Sequence, residues 1–203
     1  AANKHIQMNE WAFEAYFAGA IIDEVTGQSM EYRDLIKDPT CKPLWQTSLA
    51  NELGRLAQGI REFKGTNTIH FIPKSDIPTD RLKDVTYARL AVAYKPDKLE
   101  KNRTRITVGG DRITSLIDCG TPTADVPIIK LLWNSTLSTP GAKFFTMDIS
   151  NFYLGTPMKR PEYMRMPLSI MPQEIITRYN LLDIVQGGWV YIKIVCGMYG
   201  LPQ

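Results

Sequence analysis

Two β-rich runs, VTYARLAVAY (Val85–Tyr94) and RTRITV (Arg103–Val108), flank the polar loop KPDKLEKN. Branched and aromatic side chains suit extended backbone, and a short polar connection between two such runs predicts an antiparallel hairpin. Side chains alternate across a strand. Arg103, Arg105 and Thr107 therefore share one face, and Thr104, Ile106 and Val108 share the other. Two neighbouring guanidiniums repel unless water screens them or an anion lies between them. Phosphate suits the second case, because arginine grips it with a two-pronged fork. A solvated strand face accounts for the same pattern.

The chain around this hairpin mixes helices and strands. In DPTCKPLWQTSLANELGRLAQG, Trp45, Leu49, Leu53 and Leu56–Ala57 form one helical stripe. Pro43 suits its first turn and Gly59 its C-terminal cap. Phe13, Phe17 and Ile21 predict a second amphipathic helix over Met8–Ile22, and DEVTGQ then reads as a turn. NTIHFIP (Asn67–Pro73), KFFTMDI (Lys143–Ile149) and GWVYIKIV read as strands. DVPIIKLLWNSTLSTPG and PQEIITRYNLLDIV read as helices, and GGDRITSLIDCGTPTAD as a loop. With no regular βαβ rhythm, the order predicts an α+β fold.

Charge is unevenly spread. Residues 1–40 hold 3 basic and 7 acidic side chains, residues 41–115 hold 14 and 8, and residues 116–203 hold 7 and 6. The middle third is the natural face for a polyanion, although a solvated surface carries such a balance too. No apolar run approaches the ~20 residues of a membrane helix. The N-terminus shows no basic region followed by an apolar stretch, so no secretory signal is read there. Cys41, Cys119 and Cys196 are widely spaced, odd in number and far from His5 and His70. That predicts free thiols in a reducing compartment rather than a disulfide framework or zinc site.

In FFTMDISNFYL, a single carboxylate, Asp148, ends an apolar run. An acid at a strand exit suits a hard divalent cation, which needs carboxylate oxygens and room for substrate phosphates. It equally suits a helix cap or a structural ion pair. In the expected strand, Phe145 and Met147 face one side; Phe144, Thr146 and Asp148 face the other.

Four phrases stand in order: WQTSLANEL, RTRITVGG, MDISNFYLG and MYGLPQ. In this order they resemble the reverse transcriptase of copia-type long-terminal-repeat retrotransposons, over about Trp45 to Gln203. The resemblance implies a right-handed polymerase fold with fingers and part of the palm. Residues 1–40 would be an acidic extension or linker, and 41–122 fingers with the basic hairpin. Residues 123–155 would be the first palm segment, and 156–203 a second fingers segment re-entering the palm at YGLPQ. It implies Asp148 as the catalytic carboxylate holding two metal ions, Mg2+ or Mn2+, with the Ile149 carbonyl on one of them. Tyr153 would sit under the sugar of the incoming nucleotide and exclude a 2′-hydroxyl. Phe152 is larger than the family's usual residue there. Arg103 and Arg105 would contact the triphosphate while Thr104 and Ile106 pack inward. Gln203 would lie near base and sugar, with Gly200 allowing close backbone approach.

The implied activity is RNA-directed DNA synthesis by phosphoryl transfer between two metals about 3.5–4 Å apart. The implied partners are an RNA or DNA template with primer, deoxynucleoside triphosphates, and the rest of a polyprotein with integrase and RNase H. Cytoplasmic virus-like particles, and the nucleus, would be its location. Such enzymes need a further apolar-x-Asp-Asp hairpin, and no Asp-Asp pair occurs in this sequence. The expectation is a fragment truncated before that hairpin and inactive alone. Two other readings stay open: a decayed or co-opted element that binds nucleic acid without catalysis, and an unrelated α+β domain whose Asp148 is structural.

Overall fold

The computed structural model describes residues 21–23, 26–113, 124–147, 149 and 151–201, with backbone alone for Arg112 and Tyr153. The helices are α1 (Tyr32–Leu35), α2 (Lys42–Leu56), α3 (Val126–Ser138), α4 (Gln173–Arg178) and α5 (Leu181–Ile184). The strands are β1 (Ile69–Ile72), β2 (Thr86–Tyr94), β3 (Asn102–Val108), β4 (Pro157–Pro167) and β5 (Trp189–Cys196). They form one mixed sheet in the order β1-β5-β4-β2-β3. The fold is α+β, as the element order predicts.

The hairpin forms as expected, with β2 and β3 antiparallel from Ala88↔Val108 to Tyr94↔Asn102. Its inner face rests on α2. Thr104, Ile106 and Val108 are buried, and Ser48 Oγ donates to Thr104 Oγ1 at 2.9 Å. The α2 stripe is the expected one: Trp45, Leu49, Leu53 and Leu56 are all buried. Gly59, at φ +97°, ends the helix by returning its N–H to Gly54 O at 3.0 Å, a cap only a left-handed residue makes cheaply. Facing α2 from the other strands are Ile69, Met164, Met166, Ile192 and Ile194, each nearly inaccessible to solvent.

The opposite face of the sheet carries a smaller cluster. Ile77, Tyr163 and Tyr191 are buried together there, under the 3-10 turns between β1 and β2. Arg81 anchors those turns. Its guanidinium lies 2.5 Å from the fully buried Glu162 and 2.8 Å from Asp84, and it stacks 5.6 Å from the Tyr163 ring centre. Arg160 adds a second contact to Glu162 at 2.8 Å. A carboxylate this deep is tolerable only because two cations face it.

Several expectations change. PMKRPEYMRMP, which the sequence pattern left unassigned, is the central strand β4. Proline in a strand interior argues against strand because it lacks an N–H. Here the prolines fall where the ladder lapses: Pro157 and Pro167 at its two ends, and Pro161 inside an irregularity between Pro157 and Glu162. The expected helix in PQEIITRYNLLDIV is two short helices, broken at Asn180 with φ +50°. The turn after residue 22 forms as expected, closed by an Ile22↔Ser29 bridge and by Met30 N–H donating to Ile21 O at 2.7 Å, which take Ile21 and Ile22 out of the expected first helix. The rest of that helix, and the loop at 114–123, lie outside the described residues.

KFFTMDI does not form the expected strand in its described residues, 143–147 and 149. A strand needs a neighbour to take up its N–H and C=O groups, and none of the described strands pairs with it. Phe145 and Met147 are 79% and 73% exposed. Helix α3 before it is likewise exposed along its length, with Trp133 edge-on to Phe144 at 5.8 Å. After residue 150 the chain rejoins the core: Leu154 is buried, and its carbonyl accepts from Thr68 Oγ1 at 2.9 Å.

Two substitutions separate these environments. Leu49→Ala should cost about 2–5 kcal/mol, as expected for a fully buried leucine. Leu137→Ala, at 88% exposure, should stay within about 0.5 kcal/mol. Urea denaturation of both variants checks the contrast; equal losses would place α3 in a packed core.

Candidate nucleic-acid interface

The outward face of the hairpin presents Tyr87, Arg89, Ala91 and Ala93 from β2, and Arg103, Arg105 and Thr107 from β3. The register sets Ala91 opposite Arg105 and Ala93 opposite Arg103. A small side chain thus stands directly across from each arginine, and Arg105 is exposed. The same register carries the face onto the neighbouring strands, with Tyr87 beside Arg165 and Arg165 beside Tyr191.

Along this face cations and aromatic rings are stacked in pairs. The Arg165 guanidinium lies 4.4 Å from the Trp189 ring centre, Arg89 lies 5.3 Å from Tyr87, and Arg105 lies 5.6 Å from Tyr199. A guanidinium over an aromatic face is held flat by the ring quadrupole. Arg89 Nη2 donates to Tyr87 OH at 2.7 Å; Arg105 and Arg165 keep their N–H groups for a base or a phosphate. The three pairs form a strip from β5 to β3, three strand spacings or roughly 14 Å wide. One acid interrupts it: Asp111 Oδ1 accepts from Tyr87 OH at 2.8 Å and lies 3.9 Å from Arg89.

The strip's far end joins two of the sequence motifs. Val108 donates its N–H to Tyr199 O at 2.8 Å, which fastens the MYGL turn to the end of β3. Gly200 sits there at φ +90°, and a Cβ on it would lie 2.2 Å from Val108 O. Only glycine has both the backbone freedom and the missing side chain for that approach. Close backbone approach at Gly200 was the sequence expectation; what it approaches is the hairpin itself.

Arg103 differs from Arg105. Arg105 is exposed, and among the described residues it forms no ion pair. Arg103 is half-buried, with Nη1 3.9 Å from Glu100 Oε2 and its Nε enclosed without a partner. Beneath them on α2, Glu52 is 7% exposed with Arg55 Nη1 3.6 Å away. Burial pushes its carboxyl above the ordinary range, against the pull of Arg55, Arg103, the Ile106 N–H and Arg105.

The remaining expected site residues lie elsewhere. Asp148 and Gln203 are outside the described residues. Ile149 is 54% exposed, and its carbonyl accepts from Phe152 N–H at 3.4 Å. Phe152 is 57% exposed, and Tyr153 begins a 3-10 turn, Tyr153–Gly155. No group of three or more His, Cys, Asp or Glu side chains among the described residues is arranged to hold a metal ion. Asp148, the carboxylate that the resemblance assigns to the implied metals, lies outside those residues.

Arg165, Trp189, Tyr87, Arg89 and Tyr199 were not singled out from the sequence. The signal was present as a period of two, in Tyr163-x-Arg165 and in Trp189-x-Tyr191-x-Lys193. Compared with protein-family models, with curated proteins and with solved structures, the chain matches none.

Two outcomes test this geometry. Gly200→Ala should lower stability by roughly 1–3 kcal/mol through strain at positive φ, read by urea denaturation; an unchanged midpoint would remove the contact between turn and hairpin. For Glu52, the raised carboxyl pKa gives a definite sign. Its contribution to stability is fully present below the ordinary glutamate range and is lost as pH rises through the folded value. Glu52→Gln lacks this titration, so its melting temperature should gain on the native chain between pH 4.5 and pH 7.5. A gap that narrows over that interval would mean a carboxylate stabilised by its arginines.

Proposed function

We propose that this chain is the fingers side and first palm segment of an RNA-directed DNA polymerase of copia type, and that the strip on its outer sheet face is a nucleic-acid grip. The polymerase part rests on the four ordered phrases and on Asp148, Ile149, Phe152, Tyr153 and Gln203 in the roles the resemblance implies. The observation that carries the grip is the row of three stacked cation–aromatic pairs across β5, β4, β2 and β3. Stacking is tolerant of base identity, and phosphate contacts carry no sequence information. The grip is therefore sequence-independent and salt-sensitive. Arg105 beside Tyr199 would meet the most phosphate-rich part of the substrate.

A second reading is favoured by one feature of the fold: the strip is assembled without residues 148–152. Nucleic-acid binding that persists in a chain with no catalysis fits it equally well.

Fluorescence anisotropy with a labelled single strand tests the shared part. Binding should weaken as salt rises, and Arg165→Ala and Arg105→Ala should each reduce the salt slope by about one unit. Absence of binding at low salt, or a slope that neither variant moves, would overturn the grip. Primer extension separates the two readings. A polypeptide that joins this chain to an Asp-Asp hairpin should extend a primer with Mg2+ and lose that activity on Asp148→Asn. In the same polypeptide Tyr153→Ala should admit ribonucleotides. Extension that survives Asp148→Asn would refute the catalytic assignment.

A further inference from the structure

The loop of the hairpin carries an acid that no motif accounts for. Glu100 folds back onto α2. Its Oε1 accepts from Asn51 Nδ2 at 2.5 Å, and its Oε2 pairs with the Arg55 guanidinium. The same Oε2 lies 3.9 Å from Arg103 Nη1. The loop is closed above it by Lys95 N–H donating to Lys101 O at 2.7 Å. Glu52, on the next face of α2, adds its own pairing with Arg55. Two carboxylates and two guanidiniums thus form a neutral, partly buried cluster between helix and hairpin tip. One of the two hairpin arginines, Arg103, belongs to it. The other, Arg105, points away over Tyr199.

We propose that Glu100 is a positioning residue: it draws Arg103 out of the anion site and pins the hairpin tip to α2, so that Arg105 on Tyr199 is the guanidinium left to grip phosphate. The physical reasons are charge and reach. Two free arginines two residues apart on a strand repel each other, and an anion between them must satisfy both. With Arg103 partnered by Glu100, β3 keeps one guanidinium for an anion, in the orientation its stacking on Tyr199 sets. The hairpin tip is held by charge-assisted contacts, which are stronger and more directional than neutral ones. Without Glu100 the tip keeps only its backbone ladder, and Arg103 competes for the same anion.

This inference rests on the phosphate-gripping role of Arg105 and needs no catalysis. The probe is inorganic tripolyphosphate, titrated calorimetrically into the chain and its variants, with melting temperature and trypsin cleavage at Lys98 and Lys101 read alongside. Arg105→Ala is expected to weaken tripolyphosphate binding roughly tenfold, the scale of one hydrogen bond to a charged group, with little change in melting temperature. Arg103→Ala is expected to lower the melting temperature and leave binding within about twofold, since its charge is already partnered. Glu100→Gln should speed cleavage in the loop and make binding sensitive to Arg103→Ala. Arg55→Lys, which keeps the charge but loses the fork, should move cleavage in the same direction, and Glu100→Asp should restore protection in part. If Arg103→Ala weakens binding of the otherwise native chain as much as Arg105→Ala does, the positioning role is overturned while the phosphate site stands. If the native chain binds no tripolyphosphate, the phosphate reading falls and the proposal with it.

Discussion

The register of β2 against β3 is the constraint on which the rest depends. β2 is joined to β3 along its length and to β4 only at Thr86↔Met164 and Tyr87↔Arg165. A slip of one residue would turn every side chain of a strand to the other face. Thr104, Ile106 and Val108 would leave α2, and Arg103 and Arg105 would enter the core. The register is therefore specified twice. The apolar inner face can lie only on α2, and the loop-borne Glu100 reaches Asn51 and Arg55 only when the tip is in place.

Charge is handled in two ways around this sheet. Where carboxylates are buried, each faces cations: Glu162 has Arg81 and Arg160, and Glu52 has Arg55. These groups bear the desolvation cost together, and removing one partner would strand the other. Along the strip Arg165, Arg89 and Arg105 are instead stacked on rings, with Asp111 beside Arg89. A ring steadies a guanidinium without neutralising it. This difference separates a surface that can receive a polyanion from arginines engaged in holding the fold, and it divides Arg103 from Arg105 although they stand two residues apart.

Helix α3 and the stretch after it stand apart from both cores. Val126, Leu131 and Leu137 are each more than 60% exposed, as are Phe145 and Met147. The hydrogen bonds of α3 close within the helix itself, and Pro127 suits its first turn. Strand hydrogen bonds are made with another segment of chain, and the described residues of 143–149 pair with none of the described strands.

The sequence by itself determined the elements whose signals are local. Helix α2, with its Trp45–Leu56 stripe and Gly59 end, could be read residue by residue. So could the hairpin and its division into a basic and an apolar face, since a period of 3.6 or of 2 reports which side meets a core. Tertiary structure decided what depends on neighbours distant in the chain. It made PMKRPEYMRMP a central strand by placing its prolines where no ladder bond is missed. It set Arg165 on Trp189 and Arg105 on Tyr199, residues 24 and 94 positions apart in the numbering. It gave Glu100, an ordinary loop acid in the sequence, a partner on α2. Pairing energy belongs to two segments at once, so no pattern within either segment alone encodes it.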